Sequence, residues 1–124
     1  MDGPEINERA FRFGCRSVEL YRMLRQAGGA AREVAPQLLR AGTSVGANLE
    51  EATGGQTKAD FVAKVCIALK EAREARFWLS LISVCRLLPP EAVKADLQES
   101  NELVAILIAI IRNAKPTKQK MRIE

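Results

Sequence analysis

The chain has 124 residues, 48% of them hydrophobic and 27% charged, with a net charge of +4. That is enough for one globular domain and too little for two. It contains no His, which excludes Ser-His-Asp and Cys-His arrangements and removes the commonest general base and zinc ligand.

Glycine and proline pairs punctuate the chain at Gly28-Gly29, Gly54-Gly55 and Pro89-Pro90, and Pro116 closes the last piece. No useful stretch alternates with period two, so an all-α fold is expected. The first helix, near 6–27, carries Ala10, Phe13, Leu20 and Leu24 on one side, with Val18 and Tyr21 beside them. The second, near 32–53, keeps helical spacing through Leu38, Gly42, Val45, Leu49 and Ala52. It does so although each interior Gly costs about 1 kcal/mol against Ala. Pro36 is expected in its first turns or at a kink. Gly42 and Gly46 would let a neighbouring backbone approach closely.

The third helix, near 58–86, has the clearest seam: Phe61, Val65, Ala68, Ala72, Ala75, Leu79 and Ile82 follow one another at spacings of 4 and 3. Thr57 and Asp60 resemble a capping box at its start. The fourth, near 90–114, begins with Pro90 and places Leu97, Val104, Leu107, Ile108 and Ile111 on one side. Four similar helices with short links predict an antiparallel up-down-up-down bundle over residues 1–114, followed by a flexible basic tail over 115–124. Leu103, Ile106 and Ile110 face away from the fourth helix's seam, and Ile67, Trp78 and Leu81 lie beside the third's. These surplus apolar groups predict subunit contacts in a homo-oligomer.

The charge sign changes from segment to segment: net +2 over 1–32, −2 over 33–56, +3 over 57–86, −2 over 87–114 and +3 over the last ten residues. Neighbouring helices could therefore pair charges. The second helix holds an unusual polar set. Gln37, Ser44, Asn48 and Glu51 share a face and predict a hydrogen-bonded structural network, with Glu71 of the third helix as the expected partner of Asn48. Glu50, Glu51, Glu71 and Glu74 lack the Glu-x-x-His companions of a ferritin-like metal site. No metal, cofactor or catalytic residue is expected.

The three cysteines, Cys15, Cys66 and Cys85, are far apart and include no Cys-x-x-Cys. Reduced, mostly buried thiols are expected. The N-terminus is acidic without an apolar leader, and the longest apolar run, Leu103 to Ile111, is half of what a membrane span needs. The expectation is a cytoplasmic protein without membrane contact. Basic residues form three groups able to meet phosphates: Arg9, Arg12 and Arg16 on the first helix, Lys70 and Arg73 on the third, and Lys115, Lys118, Lys120 and Arg122 in the tail. Solvated helix faces and pairing with acidic neighbours are the alternative.

The stretch from Gln37 to Ala52, with Gln37, Arg40, Ser44, Asn48 and Glu51, resembles the signature of the bacterial four helix bundle proteins, also called ribosomal-RNA intervening-sequence or S23-type proteins. Phe61, Lys64, Lys70, Glu71 and Trp78 are similar to the family's second signature. Gly46 stands where relatives often carry Pro or Gly, and Leu49 where Ile or Tyr is usual, without disturbing the match. The resemblance covers most of the chain. It implies a small antiparallel bundle assembled into a ring, a homopentamer. It also implies kinship with the accessory protein of reverse transcriptases in diversity-generating retroelements, whose basic surfaces contact nucleic acid and protein. Two functions follow as expectations: a non-enzymatic oligomeric scaffold binding RNA or DNA through basic surfaces, or a protein-interaction module without nucleic acid.

Overall fold

The structure, a computed structural model, describes residues 3–55 and 57–114. They form four helices, α1 (Gly3–Ala27), α2 (Gly29–Thr53), α3 (Lys58–Val84) and α4 (Pro90–Ala114). No strand occurs among the described residues. The architecture is all-α and consistent with a four-helix bundle. The predicted pieces are the observed helices to within a few residues, because Gly and Pro stand at each link. The expected boundary at residue 115 lies outside the described residues.

Each helix ends for a local reason. Gly28 and Gly29 both have positive φ, 75° and 57°, which lets α1 turn into α2 through a single non-helical residue. Thr57 caps α3 by accepting a hydrogen bond from the Asp60 amide at 3.0 Å. At the other end of α3, Arg86 takes φ 54°. Its amide donates to the Ser83 carbonyl at 3.2 Å and the Leu87 amide donates to the Ile82 carbonyl at 2.9 Å. This is a Schellman arrangement with Arg where Gly is usual. Pro36 lies inside α2, and the helix continues through it.

The core draws on all four helices: Ala10, Phe13, Leu20 and Leu24 from α1, Leu38, Val45 and Leu49 from α2, Val65, Ala68, Ala72, Ala75, Leu79 and Ile82 from α3, and Val93, Leu103, Val104 and Leu107 from α4. Contacts run in opposite senses along neighbours. Ser17 meets Gly42 while Ala10 meets Gly46, and Asn7 bonds Thr53. Arg40 reaches Glu71 while Lys64 reaches Glu51. At Gly42 an added Cβ would stand 2.6 Å from the Ser17 Cβ, and at Gly46 it would stand 3.3 Å from the Ala10 carbonyl oxygen. The two interior glycines thus let α1 lie against α2, the role their spacing suggested.

In α4 the buried side chains are Val93, Asp96, Ser100, Leu103, Val104 and Leu107. The expected seam is rotated. Leu103 belongs to the core rather than to an outer face, and Leu97, Ile108 and Ile111 are only partly buried against it. Two of the inward positions are polar, so counting apolar residues finds the wrong phase. Asp96 is satisfied by Arg16, and the Ser100 hydroxyl donates to the Leu97 carbonyl at 2.8 Å. The cysteines also differ from expectation: Cys15, Cys66 and Cys85 are all exposed free thiols. No helix of the described residues is long and apolar enough to cross a membrane.

Candidate nucleic-acid interface

The first basic group is built into the bundle. Arg9, Arg12 and Arg16 line a groove of about 630 Å³ between α1 and α4, together with Phe13, Asp96 and Glu99. Arg9 grips Glu99 with both edges of its fork, Nε to Oε2 at 2.9 Å and Nη2 to Oε1 at 2.7 Å, and also bonds Glu102. Arg16 grips the buried Asp96 in the same way at 3.0 and 2.9 Å, and reaches Glu19 and the Ala92 carbonyl. Such bidentate, charge-assisted pairs are the strong ones. The hydrogen bonds that Arg9 donates to Glu99 and Glu102 hold its guanidinium above its ordinary pKa, and those that Arg16 donates to Asp96 do the same for Arg16. The Gln98 amide and then Arg9 hold the Glu102 carboxyl below its ordinary value. Arg12 pairs with Glu8 one turn earlier, both exposed. Arg9 and Arg16 therefore act as a clasp between α1 and α4.

The second group stays open. Lys70 and Arg73 are exposed on α3 and have no carboxylate partner among the described residues. Phe77 lies one turn beyond Arg73, 55% exposed, its ring packed edge-on against Trp78. Sequence reasoning missed Phe77, although at 100° per residue it falls on the Lys70–Arg73 face. The third group, Lys115, Lys118, Lys120 and Arg122, lies outside the described residues.

The polar set of α2 divides in two. Ser44 and Asn48 bond backward along their own helix, Ser44 Oγ donating to the Arg40 carbonyl at 2.6 Å and Asn48 Nδ2 to the Ser44 carbonyl at 2.8 Å. Asn48 therefore does not bond Glu71, contrary to expectation. Gln37 is exposed and makes no side-chain hydrogen bond among the described residues. Charged groups make the crossings to α3. Arg40 bonds the buried Glu71 at 3.1 Å and also Glu74, the Trp78 indole donates to Glu74 at 3.1 Å, and Lys64 meets Glu51 at 2.6 Å. Three of the four carboxylates weighed for metal binding are thus engaged by cations. No group of His, Cys, Asp or Glu suited to a metal occurs among the described residues.

Most of the residues on this α2–α3 face belong to the two signatures. The family profile described as 23S rRNA-intervening sequence protein matches residues 4–109. The chain belongs to this family. A crystal structure at 1.70 Å of a protein with unknown function from the S23 ribosomal protein family of Bacteroides thetaiotaomicron VPI-5482 is 37% identical. The similarity covers 86% of this chain and 97% of that one, with a TM-score of 0.78. No curated protein matches the chain. Of the signature residues, Arg40, Glu51, Lys64 and Glu71 tie α2 to α3, while Gln37, Ser44 and Asn48 make no crossing and Lys70 is exposed on the outer face.

Of the apolar groups expected at subunit contacts, Ile67 is 40% exposed. Trp78, Ile106 and Ile110 are partly buried against the core, Leu81 is half-buried, and Leu103 is enclosed. Phe11, Phe77 and Val84 are exposed apolar side chains that the sequence pattern did not single out.

Proposed function

We propose that the protein is a non-enzymatic homo-oligomeric scaffold that binds RNA or DNA through basic surfaces. The observation that carries this reading is the outcome of ion pairing. Among the described residues, eight salt bridges use eight carboxylates but only five cations, Arg9, Arg12, Arg16, Arg40 and Lys64. Among the described residues, ten Lys and Arg side chains then lack a carboxylate partner, against five Asp and Glu. The described residues keep a net charge of +2, but the charge is segregated, the paired clusters together carrying −3 and the unpaired side chains +5. The opposed contact registers support an antiparallel up-down-up-down order. The family resemblance supports a ring of five, in which exposed Ile67 and Phe77 and the half-covered Trp78, Leu81, Ile106 and Ile110 are subunit contacts. Five copies of a +4 chain would carry about +20, and linked weak sites gain avidity. The cytoplasm is the compartment this reading requires.

The test is recovery of nucleic acid after ultraviolet crosslinking in cells, together with light scattering of the purified protein. Crosslinked RNA or DNA and a mass about five times that of the chain support the proposal. A stable monomer at micromolar concentration refutes the oligomer. Recovery of a protein partner without nucleic acid favours the interaction-module alternative.

A further inference from the structure

The unpaired cations are not spread evenly. The α1–α2 turn at Gly28 and the α3–α4 link at residues 85–89 share one end of the molecule, because Arg22, Met23, Gln26 and Ala27 line one groove with Leu88. Five exposed cations collect near this end: Arg22 and Arg25 in the last turns of α1, Arg32 in the first turn of α2, Arg86 in the link and Lys94 in the second turn of α4. None has a carboxylate partner among the described residues. The carboxylates of the same turns, Glu33 and Glu91, are also unpaired and leave a surplus of three positive charges, against the single net negative charge of the adjacent Arg16–Glu19–Asp96 cluster. Towards the other end, Lys58 and Arg112 are accompanied by Glu5, Glu50 and Asp60, and Arg9 is neutralised within the clasp.

Two of the five cations have restrained anchors. The Arg25 guanidinium lies 5.6 Å from the centre of the Tyr21 ring, a cation–π contact that fixes its plane. The Arg86 backbone is held by the two hydrogen bonds that close α3. Arginine, four of the five, suits planar bidentate contact with phosphate oxygens.

We propose that this link end is the molecule's RNA-docking surface and meets the phosphate backbone of a structured RNA. The inference rests on the nucleic-acid reading above and says where on the chain binding occurs. Among the described residues the end is formed by two tight links and helix termini, with no projecting helix or ribbon to enter the major groove of B-form DNA. Backbone phosphates flanking the wide, shallow minor groove of A-form RNA are accessible to such a surface. Recognition is by charge and shape, without base readout.

The experiment is a fluorescence-anisotropy titration of the full chain with a labelled RNA hairpin, repeated with a duplex DNA of equal length. The variants are Arg22→Glu with Arg25→Glu and Arg32→Glu, a milder Arg86→Gln with Lys94→Gln, Lys70→Glu with Arg73→Glu, and Lys118→Glu with Lys120→Glu. Circular dichroism and light scattering verify fold and assembly, and the milder pair replaces the triple reversal if the latter fails to fold. The triple reversal is expected to weaken hairpin binding more than tenfold and to flatten the dependence of log K on log salt by about 2–3. The milder pair is expected to weaken binding several-fold. Wild-type binding that both link-end variants leave unchanged, while the Lys70/Arg73 or Lys118/Lys120 reversals abolish it, overturns the link-end assignment and leaves the nucleic-acid function standing. Equal affinity for duplex DNA overturns the choice of RNA. No wild-type binding at low salt overturns both proposals.

Discussion

The approach of α1 to α2 depends on Gly42. A Cβ built at this position stands 1.9 Å from Ser17 Oγ and 2.6 Å from Ser17 Cβ. The hydroxyl can rotate away only by losing its 2.9 Å bond to the Phe13 carbonyl, whereas the Ser17 Cβ is fixed by the backbone of α1. Relief at Gly42→Ala requires the helices to separate by about 1 Å, an overpacking strain of about 1–3 kcal/mol. Replacing an interior helical Gly by Ala returns about 1 kcal/mol. The expected net effect is a loss of up to about 2 kcal/mol. Ser17→Gly removes both clashing atoms. In that background Gly42→Ala should stabilise by about 1 kcal/mol, a coupling of about 1–3 kcal/mol in a double-mutant cycle. Gly46→Ala, whose Cβ meets the Ala10 carbonyl oxygen at 3.3 Å, should lie near neutrality. The assay is denaturant unfolding followed by circular dichroism at fixed protein concentration, since assembly contributes to stability. A stabilising Gly42→Ala with Ser17 present, or a coupling below about 0.5 kcal/mol, refutes the close-approach argument.

Arg16→Met leaves the carboxylate of buried Asp96 without its bidentate partner and should cost about 2–3 kcal/mol. Arg12→Met loses only the exposed pair with Glu8 and should stay within about 0.5 kcal/mol by the same unfolding assay. Arg86→Gly should raise stability by about 1 kcal/mol, because φ 54° strains any residue with a Cβ. Thermal melts of the pair would show it. Because the folded-state pKa of Glu102 is depressed, its contribution is present above the unfolded carboxylate value of about 4.3 and is lost as pH falls through the lower folded value. The raised pKa values of Arg9 and Arg16 give stability that persists throughout the neutral and mildly alkaline range. Thermal melts between pH 3 and pH 9 should therefore decline on the acid side, with a shallower decline in Glu102→Gln.

The α3 seam was legible because Val65, Ala68, Ala72, Ala75, Leu79 and Ile82 are all apolar and all buried. Nothing polar interrupts that 3.6-residue period. The α4 seam was not, because Asp96 and Ser100 point inward and hydropathy has no way to credit a polar group whose partner lies on another helix. The alternating segment charges did anticipate pairing between neighbours, realised by Arg9 with Glu99 and Lys64 with Glu51, whereas the Arg40–Glu71 pair runs against the segment signs. They did not say which cations would be consumed. The pattern offered Arg9, Arg12 and Arg16 for phosphate, whereas the fold turns Arg9 and Arg16 toward α4. Arg22, Arg25, Arg32, Arg86 and Lys94 are scattered along the sequence and come together only through the chain reversals at Gly28 and at residues 85–89. Asn48 marks the same boundary. Its amide reaches back to the Ser44 carbonyl, a local alternative that hydroxyl and amide side chains in helices always possess.

The most direct test of the nucleic-acid account is the salt dependence of wild-type affinity for a structured RNA hairpin, measured by anisotropy across a fourfold range of salt. Contact with about five phosphates predicts log K falling linearly with log salt at a slope of about −3 to −5. A slope near zero, or no binding at the lowest salt, would contradict the account.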